Sequence, residues 1–496
     1  WVYVSPKEVT SKLRVAGQYK RLRVMAPGPT TTMGSQPLVA LAYDTALLVD
    51  SVTCKWTSPA GKATTTKLQP QGDWSWHGEF APDQEGTWRC EIQARDVAGK
   101  TWQREQVITV KDRKRPAVAP GKDFPWILAG EKTPRRITEG PVAPLHPLWV
   151  KHTGSTHVLF NSPVVAKDRV YVSIGNPNAG TPGAGVLCLD AATGKQIWRS
   201  SSPMGDIRGP VSVHDGIVYA ITGEGWVAAF AGESGKLLWS KPLAASYEEG
   251  RPLAINNTPP VPTPHGLVVS DWRKPQFLLD YSSGEQKAEY FGDIGHYGSF
   301  ATVYDDILYS VRRGGGVAFS VPEGKEIWRV EETSRSTSAP IVVDGKLIYS
   351  GSSGVRVREA ANGKMIWQAG HANAGYQNAI PVVWDELLLV NGTDCRAFNL
   401  KDGKPLWTVK CATDVERFRR SRRQAMAGSS TPFIAGELAW FGHDDTSLRA
   451  VNKAGKVVWE YIFGTPIKTS PVITGNLLLV HDFAGNLWCF AGANLN

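Results

Sequence analysis

From residue 146 onward the chain alternates short apolar runs with turn residues. Each unit starts with a brief apolar strand behind Ser-Pro, Thr-Pro or a variant, as in Ser162-Pro163-Val164-Val165, Ala339-Pro340-Ile341-Val342 and Ser470-Pro471-Val472-Ile473. A tight turn follows, often Asp-Gly, as at Asp215-Gly216 and Asp344-Gly345. Glycine there supplies the positive φ that a tight hairpin demands. A second strand (Ile217-Val218-Tyr219-Ala220), a third such as 185–190 and a fourth ending in tryptophan complete the unit. Runs of this length between turn signals predict an all-β chain.

The fourth strand carries the signature. Thr193-Gly194-Lys195-Gln196-Ile197-Trp198 places tryptophan four residues after a turn glycine, and the spacing returns at Gly235 and Trp239, Gly324 and Trp328, Gly363 and Trp367, Gly403 and Trp407, and Gly455 and Trp459. One copy is degraded, with Gly284 leading to Ala288. With that copy and Trp149 included, the positions 149, 198, 239, 288, 328, 367, 407 and 459 lie 39 to 52 residues apart. A period of about 40 residues or more, with four strands per repeat, predicts propeller blades. First strands near residues 163, 210, 260, 300, 340, 381, 432 and 471 give eight blades. The last unit stops after its third strand, while Pro147-Leu148-Trp149-Val150-Lys151 is a fourth strand with nothing before it. The two are expected to join and close the ring, which removes exposed strand edges.

Ahead of the ring, residues 1–34 read as a strand and linker remnant of uncertain partner, with one alternating run at 19–25. The chain opens on Trp1 rather than Met, so a removed front segment is expected. Residues 35–111 predict a small antiparallel sandwich, with strands at 38–43, 52–56, 74–80, 86–92 and 106–110. Within it Gly86-Thr87-Trp88-Arg89-Cys90 resembles the strand of immunoglobulin-like domains in which an aromatic precedes the second cysteine by two. That resemblance implies a spacer or docking module. Residues 112–145 are expected to be a linker, basic at its start, and residues 146–496 the propeller.

Composition narrows the partners. A net charge of +9 makes acidic ligands plausible, but the basic residues form no stripe with interleaved aromatics, so no nucleic acid is expected. No apolar run approaches the ~20 residues of a membrane span. The six cysteines include no Cys-x-x-Cys pair, which argues against a zinc ribbon or a thioredoxin-like site. Cys54 and Cys90 are expected to bond if the compartment is oxidising. No cluster has metal-ligand spacing, so no metal is expected. Nucleophile elbows, P-loops and His-Glu-x-x-His motifs are also missing.

The phrase Asp190-Ala191-Ala192-Thr193-Gly194-Lys195-Gln196-Ile197-Trp198 resembles the tryptophan-docking repeat of the PQQ-like (quinoprotein) β-propellers. That family includes quinoprotein alcohol dehydrogenases and the outer-membrane assembly lipoprotein BamB. The resemblance implies an eight-bladed ring whose repeat tryptophans pack between blades, in an extracytoplasmic (periplasmic or secreted) protein. Quinone-dependent members carry an adjacent Cys-Cys pair and a calcium held by Glu, Asn and Asp. No two cysteines are adjacent here and no such calcium set is assignable, so no cofactor is expected.

Loops leading into first strands converge on one mouth of a propeller and are the place for a site. They hold Asn161, Arg208, Arg251, Asn257, Arg335, His371, Tyr376, Asn378 and Lys468 as candidate ligand-binding residues. Residues 414–428 form the longest such loop, with Arg419, Arg420 and Arg423 among its five arginines. Guanidinium groups grip carboxylate and sulfate bidentately. His296 and Tyr297, flanked by glycines, are candidate proton-transfer residues. The expected function is binding of an acidic polysaccharide in the funnel, with cleavage by a lyase or hydrolase reaction. The alternative is a non-catalytic BamB-like scaffold for a protein partner, and the third reading is a quinone-dependent dehydrogenase.

Overall fold

A computed structural model describes residues 20–44, 48–112, 118, 121, 123–124, 135–156, 158, 160–175, 183–203, 205–207, 209–243, 259–270, 276–290, 300–312, 315–332, 338–351, 354–370, 379–392, 394–410 and 430–492. Every regular element among them is a strand.

The first nine strands are β1 (Lys20–Ala26), β2 (Thr30–Thr32), β3 (Gln36–Asp44), β4 (Val49–Thr57), β5 (Ala63–Lys67), β6 (Gln69–Gln71), β7 (Ser75–Phe80), β8 (Gly86–Asp96) and β9 (Thr101–Lys111). They form two packed sheets, ordered β1-β3-β7-β6 and β2-β9-β8-β4-β5. β1, whose partner the sequence leaves open, pairs antiparallel with β3, and β2 pairs parallel with β9. Residues 20–32 thus belong to the sandwich. Along β8 the sides alternate cleanly: Trp88, Cys90, Ile92 and Ala94 are buried in the sandwich core. Cys54 and Cys90 sit on neighbouring strands of one sheet, Cys54 opposite Ile92 and Cys90 opposite Trp56. Both are buried and unbridged. An immunoglobulin bridge instead joins the two sheets.

Along the rest of the chain, eight sheets follow one another among the described residues, here blades 1 to 8. Blades 1 to 7 span residues 164–201, 212–242, 261–290, 300–331, 341–369, 382–409 and 433–462. Blade 8 takes three strands from residues 472–492 and its outermost strand from β11 (Leu145–His152). Leu145 pairs with Gly492 and His152 with Asn486. Shared apolar clusters join blade 1 to 2, 2 to 3, 3 through 6, 6 to 7, and 7 and 8 back to 1. Between β9 and β11 lies one more strand, β10 (Arg136–Ile137), which pairs parallel to the innermost strand of blade 7.

Candidate functional site

Each outer strand is built around its tryptophan. Trp149, Trp198, Trp239, Trp328, Trp367 and Trp407 donate Nε1–H to a backbone oxygen of the next blade, respectively Ala191, Gly232, Tyr281, Ala360, Leu400 and Lys453, at 2.8–3.0 Å. The turn glycine of that next blade lies flat on the ring. A Cβ at Gly194, Gly235, Gly284, Gly363, Gly403 or Gly455 would come within 2.5–2.8 Å of it, and all six glycines have φ between 67° and 78°. Both facts demand glycine. Where Ala288 replaces tryptophan, Tyr290 does the docking: its hydroxyl donates to Val321 O at 2.5 Å, the equivalent carbonyl. Two residues further along a strand is the same face, so the degraded copy keeps its interlock.

Immediately before each repeat tryptophan, or Ala288 in its place, the strand bulges. The register skips Ile197, Leu238, Ile327, Ile366, Leu406 and Val458. A bulge re-aims its extra residue, and these six aliphatic side chains are 41–47% exposed. In blade 3 the bulged residue is Lys287. Six outer strands thus present a bulged aliphatic residue, on edges that pair with no other strand among the described residues.

Blade 8 differs. The bulged residue of β11 is Leu148, and it packs against a core shared with the sandwich. β3 runs along β11 and buries both of its faces. Leu38, Ala40 and Ala42 enter the sandwich core, whereas Val39, Leu41 and Tyr43 join Trp149, Trp488 and Phe490. The joint is also polar. Arg21 Nη1 donates to Gly464 O at 2.7 Å, the Tyr461 hydroxyl donates to Met25 O, and Trp74 stacks on Phe483. Asn486 Nδ2 donates to Ser75 Oγ at 2.9 Å, and its Oδ1 lies 3.0 Å from His77 Nε2.

Three histidines surround this joint, His152 and His481 buried and His77 half-buried. His152 Nε2 donates to Ala484 O at 3.1 Å, while its Nδ1 accepts from Gly154 N–H. His481 bridges Asn161 O and Thr153 Oγ1. Burial holds His77 and His481 down to about 4 and His152 to about 3, so all are neutral near pH 7. Beside them burial raises the Asp482 carboxyl to about 6, although it accepts from Asn486 and Trp488 Nε1.

Of the residues expected in the funnel, two are described. Asn161 is buried and stitches blades: its Nδ2 donates to Ser173 Oγ at 2.9 Å and Ile207 O at 2.7 Å. Lys468 is buried against Asp444, with Nζ to Oδ1 at 2.8 Å. The fold itself uses both. Arg208, Arg251, Asn257, His296, Tyr297, Arg335, His371, Tyr376, Asn378, Arg419, Arg420 and Arg423 lie outside the described residues. The covered face of β3 escaped the sequence reading, although a continuous apolar run, Leu38 to Tyr43, is the mark of a strand buried on both sides.

Comparison with known proteins agrees with a PQQ-like propeller in the repeat region. The PQQ_2 family, described as outer membrane protein assembly factor BamB, matches residues 146–261 and 303–494, more than half of the chain. Outer membrane protein assembly factor BamB of Burkholderia pseudomallei is 25% identical over 387 residues, covering 72% of this chain and 91% of its own length. Tetrathionate hydrolase of Acidithiobacillus ferrooxidans is 24% identical over 307 residues, covering 53% of this chain and 59% of its own. Among solved structures, BamB from Moraxella catarrhalis aligns with a TM-score of 0.54 at 16% identity, covering 71% of this chain and 99% of that one. Quinohemoprotein alcohol dehydrogenase from Comamonas testosteroni has a TM-score of 0.54 at 15% identity, covering 71% and 77%. At these identities the solved structures speak to the fold alone.

Proposed function

The chain belongs to the PQQ_2 family, described as outer membrane protein assembly factor BamB, and from that membership we propose that it is a non-catalytic, extracytoplasmic scaffold for a protein partner. One observation carries the reading. Six outer strands expose a bulged aliphatic residue on an edge that has no strand partner among the described residues, blade 3 places Lys287 there, and the equivalent residue of β11 packs against the core it shares with the chain's own sandwich. An apolar residue beside free backbone groups suits a partner that brings a strand or sheet edge. The sandwich, read as an immunoglobulin-like module, then serves as a fixed arm on the ring.

The expected binding and cleavage of an acidic polysaccharide gives way to this alternative, since it draws no support from the comparisons. The test is photo-crosslinking in cells with a benzophenone amino acid placed in turn at Ile197, Leu238, Ile327, Ile366, Leu406 and Val458. Crosslinks from one run of adjacent blades to a component of outer-membrane protein assembly are expected. No crosslink from any of the six positions, together with product release from an acidic polysaccharide, would overturn the scaffold and return the funnel reading.

A further inference from the structure

The segment between the sandwich and β11 is aperiodic in sequence, yet its described residues are strung across the inner edges of the blades. Gly121 N–H donates to Thr474 Oγ1 of blade 8 at 3.0 Å. Phe124 forms a two-way backbone bridge with Val165, on the innermost strand of blade 1. β10 pairs with the innermost strand of blade 7, and Arg136 Nη1 reaches Asp385 of blade 6 at 2.6 Å. The described residues of the segment therefore touch the innermost strands of blades 1, 7 and 8 and a turn of blade 6.

Arg135 sits at the heart of this contact. It is 1% exposed. Its Nε donates to Pro432 O at 3.0 Å and its Nη2 to Pro471 O. The guanidinium carbon lies 5.8 Å from the Phe124 ring centre and 5.1 Å from that of Phe433. Nη1 has no hydrogen-bond partner among the described residues. The backbone is held at φ 65°, left-handed for a residue with a side chain. Such a conformation persists only where the surroundings impose it.

The other buried arginines set the standard. Arg356 and Arg358 share Glu332, and Arg449 is held by Asp445 at 2.6 Å and Glu460 at 2.7 Å. Among the described residues each buried guanidinium other than Arg135 has a carboxylate, and Arg135 has none. Burial lowers its pKa to about 9, which leaves it charged at neutral pH. Two carbonyl oxygens and two aromatic faces offset only part of the cost of burying a cation.

We propose that Arg135 Nη1, between Phe124 and Phe433 at the inner edge of blades 7 and 8, binds a small monoanion, a halide or a carboxylate. The anion would neutralise the guanidinium and fasten the segment against these blades. This site is independent of the scaffold reading.

Bromide and acetate are the probes, used on the full chain. In a crystal of the wild-type protein soaked in sodium bromide, an anomalous peak is expected within hydrogen-bonding reach of Nη1. In solution, sodium bromide or acetate should raise the melting temperature saturably by a few degrees over sodium fluoride at equal ionic strength, and Arg135→Gln should abolish that rise. A response to bromide alone would assign a halide site, and a stronger response to acetate a carboxylate site. Anomalous peaks confined to the surface, with no saturable rise in the wild-type protein, would mean an adventitious ion only and overturn the proposal. The soak uses the wild-type chain, so failure of the variant to fold leaves the test intact.

Discussion

Blade 8 and blades 1 to 7 use the same repeat to opposite ends. In seven blades the outermost strand is contiguous with the three inside it, and its bulged residue faces solvent, as Ile327 does. In blade 8 the outermost strand arrives from the other end of the repeat region, and its bulged residue Leu148 packs into a core shared with the sandwich. The blade with the least local connectivity is the one held by an additional body. The six exposed aliphatic positions look, in sequence, the same as the covered one. Surroundings, not the repeat itself, decide whether a blade edge is a joint or a surface.

The largest test of that contrast is in the core of the joint. Trp488 is fully buried, and its Nε1 donates to Asp482. Trp488→Ala should cost ~3–5 kcal/mol, read as a lower denaturant midpoint. Trp407→Ala, between blades 6 and 7 and only partly buried, should cost less. Equal losses would mean that the joint adds nothing to the ring.

Acid should strike the joint next. Histidines whose folded pKa lies below the ordinary value favour folding at neutral pH, and that advantage is lost as pH falls from about 6.5 to the folded values of about 4 for His77 and His481 and about 3 for His152. Asp482, raised to about 6, acts in the opposite sense: its penalty is relieved as pH falls through about 6. Lys151 nearby adds to the lowering of His77 and His152. The three histidines outnumber the one carboxyl, so these four groups together make stability fall as pH drops from about 6 to 4. His77→Gln should flatten that slope in a series of melts. An unchanged slope would place the acid sensitivity elsewhere.

A matched pair of substitutions sharpens the comparison further. Leu148→Asp puts a charge into the joint and should cost ~1–3 kcal/mol, whereas Ile327→Asp on an open edge should stay within about 0.5 kcal/mol. Chemical denaturation of the two variants decides it. The smallest effect concerns the substituted interlock: Tyr290→Phe removes the bond to Val321 O and should cost ~1 kcal/mol. No measurable loss would show that the ring alone, without its hydroxyl, holds blades 3 and 4.

Sequence and structure agree where the pattern is local. The spacing from turn glycine to tryptophan announces each outer strand, because a glycine against an indole ring and a carbonyl for Nε1 leave few alternatives. The closing strand was legible too, as a fourth strand without three predecessors. Three features were not. The partner of β1 was hidden because it lies across a turn, in β3, whose continuous apolar run was read as an ordinary sandwich strand. Tyr290 was hidden because it docks two residues past the expected place. The contacts of the described residues between 112 and 145 are hidden because scattered backbone bonds and one buried arginine have no period to detect. Sequence places Asn161 in a loop at the mouth, and its amide bonds to Ser173 and Ile207 join blades.

The pairing of Leu145 with Gly492 also sets an order of events during synthesis. β11 leaves the ribosome well before its partners, and closing a loop of that length carries an entropy cost of about 5 kcal/mol. The sandwich precedes β11 in the chain and is free to fold first, so β3 can hold that strand while seven blades are made. The final hairpin then meets a strand already fixed in place. A nascent chain halted before residue 472 would have a waiting edge and no hairpin to cover it, which is the kind of template that recruits other unfinished chains.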